Sequence, residues 1–171
     1  MKRALVHFCV LLFLTGCQNN SYSTYSNKYR VWFSCNTMDA PFNQITTPGR
    51  FVSVRKVAGT LKTVDSDGGK ADIELTAVQS GGFMMGLAGL IIGTPTFNND
   101  DMSVWAYDLG CPVCDKETAR LSFDINGSAH CSKCGGSWNL NASGFPLNDS
   151  AERPLYRYPV TKTDFSITVA N

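Results

Sequence analysis

Histidine is nearly missing from this chain, with only His7 and His130 among 171 residues. A charge excess is missing as well, because fifteen Lys and Arg face fourteen Asp and Glu. A balance this close to neutral builds no long-range field toward nucleic acid, and no nucleic-acid partner is expected. No run reaches the roughly 20 apolar residues of a membrane-spanning helix. No stretch of twelve or more residues keeps a 3.6-residue apolar period, which argues against a helical domain. Catalytic constellations are absent too. Asp108, Asp115 and Glu117 are too scattered for paired-carboxylate chemistry, no Ser/His/Asp set stands out, and no catalytic residue is assigned.

What is present begins with Lys2-Arg3, the apolar run Ala4 to Leu14, and Leu14-Thr15-Gly16-Cys17. A basic start, a short apolar core and small residues before a cut describe a secretory leader, residues 1–16. Leu-Thr-Gly-Cys resembles the bacterial lipobox. That resemblance implies a thioether-linked lipid and an acylated amine on Cys17, a stable anchor in a lipid bilayer. Ordinary cleavage with Cys17 as a plain thiol is the alternative. Gln18 points to an outer-membrane lipoprotein facing the periplasm, and no twin-arginine consensus follows Lys2-Arg3. The expectation is unfolded export and folding where disulfides are permitted. Removing the leader leaves 155 residues with thirteen basic and fourteen acidic side chains, and His130 as the one histidine. No site needing two histidines can then come from one chain.

Residues 17–28 read as a lipidated tether, polar from Gln18 to Asn27, and residues 29–171 as a β domain. Val31-Trp32-Phe33, Phe51 to Val54, Asp72 to Thr76 and Phe165 to Val169 are short, β-branched or aromatic, and partly alternating. Pro48-Gly49 and Asp67-Gly68-Gly69 mark turns, and Asn126-Gly127 predicts a type I′ hairpin. The uncharged run Gly81 to Pro95 spaces Gly82 and Gly86, then Gly89 and Gly93, as a membrane helix-packing face would. At fifteen residues it is too short to span, and a buried strand from Leu87 to Ile92 after a glycine-bent loop is expected instead. The fold class is all-β.

Cys111-Pro112-Val113-Cys114 and Cys131-Ser132-Lys133-Cys134 are separated by sixteen residues. Two C-x2-C knuckles at such spacing aim four thiolates at one point, the pattern of a tetrahedral metal site. Pro112 helps fix the first turn, and Gly135 suits the left-handed conformation that ends the second. Zn²⁺ is the favoured occupant. An iron centre, either one ion or [2Fe–2S], and disulfides without metal are the alternatives. A redox C-x-x-C pair is disfavoured because no βαβ pattern surrounds it.

The residues around the second knuckle suggest a family. Cys131 to Leu140, then Gly144-Phe145-Pro146-Leu147, then Pro154-Leu155-Tyr156-Arg157-Tyr158-Pro159-Val160 resemble the second cluster box of Rieske proteins. Ala106-Tyr107-Asp108-Leu109-Gly110-Cys111-Pro112 looks like the strand that delivers the first box. The match covers about residues 87–160. It implies antiparallel base sheets bearing a small cluster-loop subdomain, about residues 105–146, with Val57 to Gln79 as an added hairpin. A Rieske site joins two Cys and two His. Here Cys134 stands at the second-box His, Val113 stands at the first-box His, and Cys114 lies one residue beyond. Cys111 and Cys131 take the family's cysteine positions, and a His₂Cys₂ cluster is impossible within the chain.

Three functions follow as expectations. The first is a structural or binding module with a metal-closed loop pair and an unidentified protein partner. The second is an electron carrier, and the third an enzyme component without a visible catalytic group. His130 reads as an ordinary strand histidine, with support of a ligand as its other role, and Gly135 is the other candidate to support the ligands. Cys35 reads as a small buried apolar residue. Trp32, Trp105, Tyr107 and Trp138 are expected in the core.

Overall fold

The computed structural model describes residues 25–97 and 103–171. The expected leader, the lipid-bearing Cys17 and most of the tether lie outside these residues. Among the described residues fourteen strands form three sheets whose strand pairings are all antiparallel. The largest has six strands: β12 (Arg157–Tyr158), β7 (Trp105–Asp108), β6 (Leu90–Thr94), β2 (Arg50–Val57), β3 (Thr60–Asp65) and β4 (Lys70–Glu74), in that order. A four-stranded sheet orders β13 (Val160–Lys162), β14 (Ser166–Ala170), β1 (Val31–Asn36) and β5 (Met84–Met85). A smaller sheet orders β11 (Phe145–Pro146), β10 (Ser137–Asn139), β9 (Ser128–His130) and β8 (Ser122–Phe123).

Side chains alternate across a strand, so a sheet covered on both faces feeds two cores. On β6, Leu90 and Ile92 enter one core and Ile91 the other. On β2, Val52 and Val54 face the first core and Phe51 the second; on β7, Ala106 and Tyr107 divide the same way. The first core is closed by Val31, Phe33, Ile167 and Val169 of the four-stranded sheet. The second is closed by Ala129 and Trp138 of the small sheet and the flanking Leu121 and Leu140, together with Cys111 and Cys131. The cysteine loops are therefore packed on the central sheet. Tyr107 spans this second core and donates its hydroxyl to the Leu140 carbonyl at 2.9 Å.

The expected strand at Leu87 begins three residues later, at Leu90. Asp108 explains the delay. Its carboxylate accepts from the amides of Leu87 at 2.7 Å and Ala88 at 3.2 Å, holding that stretch as a loop. Gly93 lies inside β6, where a Cβ would meet the Arg50 carbonyl oxygen at 2.1 Å, so only glycine allows the approach of β2. The hairpin at Asn126-Gly127 exists, with a different turn. Of the two, Gly127 alone has positive φ, and its amide donates to the Asp124 carbonyl at 3.0 Å. This is a type I turn followed by a left-handed glycine. The Asp124 carboxylate accepts from the amides of Asn126 and Ser128 and stabilises that form instead of type I′.

Tyr107 and Trp138 are fully buried, as expected, but Trp32 is 49% exposed. Val31 and Phe33 take the inward positions of β1, leaving Trp32 on the outer face opposite Met84 and Ala170. Trp105 is half-buried with the Arg157 guanidinium stacked 4.3 Å from its ring centre. The one α-helix among the described residues, Ala77–Gly82, is started by a Thr76–Gln79 capping box and buries no side chain. No helix among them is long and apolar enough to cross a membrane.

Candidate metal centre

Strand β7 runs into the first knuckle and β9 into the second. Each knuckle folds the same way. The amide of Asp115 donates to the Cys111 carbonyl at 2.9 Å, and that of Gly135 donates to the Cys131 carbonyl at 2.9 Å. The residue after each second cysteine is left-handed, Asp115 at φ 51° and Gly135 at φ 76°. Glycine does this freely, and aspartate is among the few other residues that visit the region. The far ends are tied alike, with the Cys111 amide on the Ala119 carbonyl at 2.8 Å and the Cys131 amide on the Gly136 carbonyl at 2.9 Å.

These turns bring together all four cysteines predicted as ligands. Every pair of Sγ atoms lies within 4.8 Å. Cys111 and Cys134 are 3.6 Å apart, and Cys114 and Cys131 are 3.8 Å apart. Four sulfurs about 2.3 Å from one tetrahedral ion stand about 3.8 Å from each other, so the group fits a single ion. No pair is at the roughly 2.05 Å of a disulfide, and all four thiols are free. Cys111 and Cys131 are buried, while Cys114 and Cys134 reach partly toward solvent.

Burial pushes the Cys111 and Cys114 thiols upward. Burial also acts against the Cys131 thiolate, but the amides of Cys134 and Lys133 point at that sulfur and bring it below the ordinary thiol value. The matching amide of Cys114 lies 3.5 Å from Cys111 Sγ. A cation that replaced the protons would find thiolate charge already stabilised by backbone dipoles.

The other singled-out residues lie apart from the sulfurs. His130 is exposed on β9 between the buried Ala129 and Cys131, and its Nδ1 is 3.1 Å from Ser137 Oγ. It hydrogen-bonds Ser137 and no cysteine. Cys35 packs at the edge of the first core, where burial pushes its thiol up to about 12.

Two features of the site were not foreseen. Asp108 is buried and accepts from Leu87, Ala88, Gly110 and, at 2.7 Å, the Tyr158 hydroxyl. Burial raises its carboxyl and the four donors counter it; together they anchor the segment entering Cys111. Asp115 pairs with Lys28 and accepts from the hydroxyls of Tyr29 at 2.8 Å and Tyr156 at 2.9 Å. The contrast of Cys-x-x-Cys-Asp with Cys-x-x-Cys-Gly is the one signal in the sequence for its special backbone.

Comparisons with family models, with curated proteins and with solved structures find no match.

Proposed function

We propose that Cys111, Cys114, Cys131 and Cys134 hold one Zn²⁺, and that the chain is an envelope lipoprotein whose knuckle subdomain is a structural and protein-binding module. The observation that carries the reading is the compactness of the four sulfurs, all within 4.8 Å. A [2Fe–2S] centre divides four thiolates between two irons and spreads the pairs apart. A single ion draws all four together. Zinc supplies no redox chemistry, and here it would close two loops over the second core and add its binding energy to folding. The expected general-secretory leader agrees with a metal acquired after export. Cys17 is the proposed lipid anchor, in the outer membrane and facing the periplasm. The Rieske-like reading rests on the residue pattern from 87 to 160, and β7 and β9 deliver the two knuckles in the order it implies.

A single iron ion fits the same tetrahedron and would make the protein an electron carrier. Metal analysis and visible absorption of mature protein, purified from its own membrane, separate the two. One Zn²⁺ per chain and no visible band are expected. Stoichiometric iron with a coloured thiolate band would replace the module with an electron carrier. Metal-free protein whose thiols resist alkylation until reduced would replace both with disulfides.

A further inference from the structure

Two grooves lie side by side where the six-stranded sheet extends beyond the knuckle subdomain. One, of about 680 Å³, is lined by Arg30, Arg55, Lys56 and Arg120, with Glu117 as its one acidic residue. The other, of about 410 Å³, is lined by Arg55, Lys62, Lys70 and Arg120, with Asp72 as its one acidic residue. Arg55 and Arg120 belong to both, so the grooves form one trough between the sheet and the loop bearing Arg120, with residues 83–89 closing the larger groove. The chain as a whole is almost neutral. Six of its fifteen lysines and arginines line the trough, against two carboxylates.

Several of these charges are uncompensated. Lys56 is occupied by the carbonyls of Ser80 and Phe83, Lys62 pairs with Asp72, and Arg120 meets Glu117 only at 3.9 Å. Arg30, Arg55 and Lys70 have no anionic partner among the described residues. Arg55 stands directly across the strand pair from Lys62, an arrangement that destabilises a sheet. Leu109 and Leu121 give the trough an apolar floor, which strengthens the field above it. A half-buried arginine facing a lysine, open to a groove, is relieved by an incoming anion.

We infer that this trough binds a ligand carrying two or more phosphate groups. Guanidinium forks suit phosphate and carboxylate alike. The cations approach from two walls, however. A carboxylate offers its oxygens in one plane, whereas a phosphate presents oxygens to both. Two grooves sharing Arg55 and Arg120 call for more than one such group. The inference requires the 115–121 loop in place and is independent of which metal holds it.

Titration calorimetry on the full chain tests it with two probes. Fructose 1,6-bisphosphate stands for a free phosphate ligand, and dihexanoyl phosphatidylinositol 4-phosphate, below its micelle concentration, stands for a lipid headgroup with two phosphates. Saturable binding that weakens with salt is expected for at least one, and which one saturates assigns the source. Arg55→Gln and Arg120→Gln should each weaken it about tenfold or more, while Lys162→Gln on distant β13 should not. Arg55→Gln should leave the melting temperature unchanged or raised, since it removes the like-charge pair. Arg30→Gln, outside any strand, repeats the binding test where folding is not at stake. No saturable binding by either probe, unaltered binding by all three arginine variants, or equal affinity for citrate would overturn the assignment.

Discussion

Lys28 and Asp115 form an ion pair across 87 positions of sequence, joining the start of the β domain to the residue that ends the first cysteine knuckle. Tyr29 and Tyr156 close over the same carboxylate, their rings edge to face at 5.7 Å. The first cysteine loop is thus held from outside as well as by its own turn. Lys28 foremost, then the two hydroxyls, hold the Asp115 carboxyl below its ordinary range against the opposing effect of burial. A carboxyl that is more acidic folded than unfolded stabilises the fold fully above its unfolded value of about 3.9. That contribution is lost as pH falls through the lower folded value. Asp115→Asn should therefore lower the urea midpoint at pH 7 and flatten its decline between pH 5 and about 2. An undiminished acid slope in the variant would refute the clamp.

The left-handed backbone after each knuckle separates two effects at one position. Asp115→Gly and Asp115→Ala both lose the carboxylate, but only alanine is strained at φ 51°. The alanine variant should be about 1–2 kcal/mol less stable than the glycine variant. Gly135→Ala should lose a similar amount, although no atom lies within 4 Å of the added Cβ. Denaturant melts check both, and equal stability of the two Asp115 variants would contradict the assigned conformation.

Replacing any one of Cys111, Cys114, Cys131 and Cys134 with serine should lower metal content and thermal stability together. The loss should exceed about 4 kcal/mol, the range in which loss of a structural metal falls. Chelation of the unsubstituted protein should give the same shift. Full stability after complete metal removal would show that the loops close without an ion.

Asp108 and Tyr158 should behave as a coupled pair. Asp108→Asn removes an acceptor from a buried cluster of four donors and should cost about 2–4 kcal/mol. Tyr158→Phe should cost about 1–2 kcal/mol in the unsubstituted protein and less in the Asp108→Asn background. Additive losses in a double-mutant cycle would mean that their 2.7 Å contact carries no energy.

Cys17→Ser should release the protein from membranes, which fractionation followed by salt and carbonate washing would read. Retention of the variant in the washed membranes would remove the lipid anchor from the proposal.

Local sequence was enough for the all-β class, the four cysteines that come together and one knuckle terminus. Each of these is local. Period-two alternation in β1 and β14, two C-x2-C turns, and a glycine after Cys134 are readable because strand pleating and turn sterics act over a few residues. Which sulfurs are buried emerges from packing, as does the fact that Ile91 serves a different core from Leu90 and Ile92, because an apolar run reads the same whichever partner covers each face. The turn at Gly127 depended on Asp124 outcompeting a familiar dipeptide. Trp32 was misplaced because alternation states that two faces differ, and the packing of Val31 and Phe33 selects which one is inward. The Lys28–Asp115 pair and the Arg55–Arg120 trough were invisible for the strongest reason. Their members are distant along the chain and meet only when the knuckle subdomain packs beside the sheet, and like or opposite charge in sequence carries no record of that distance.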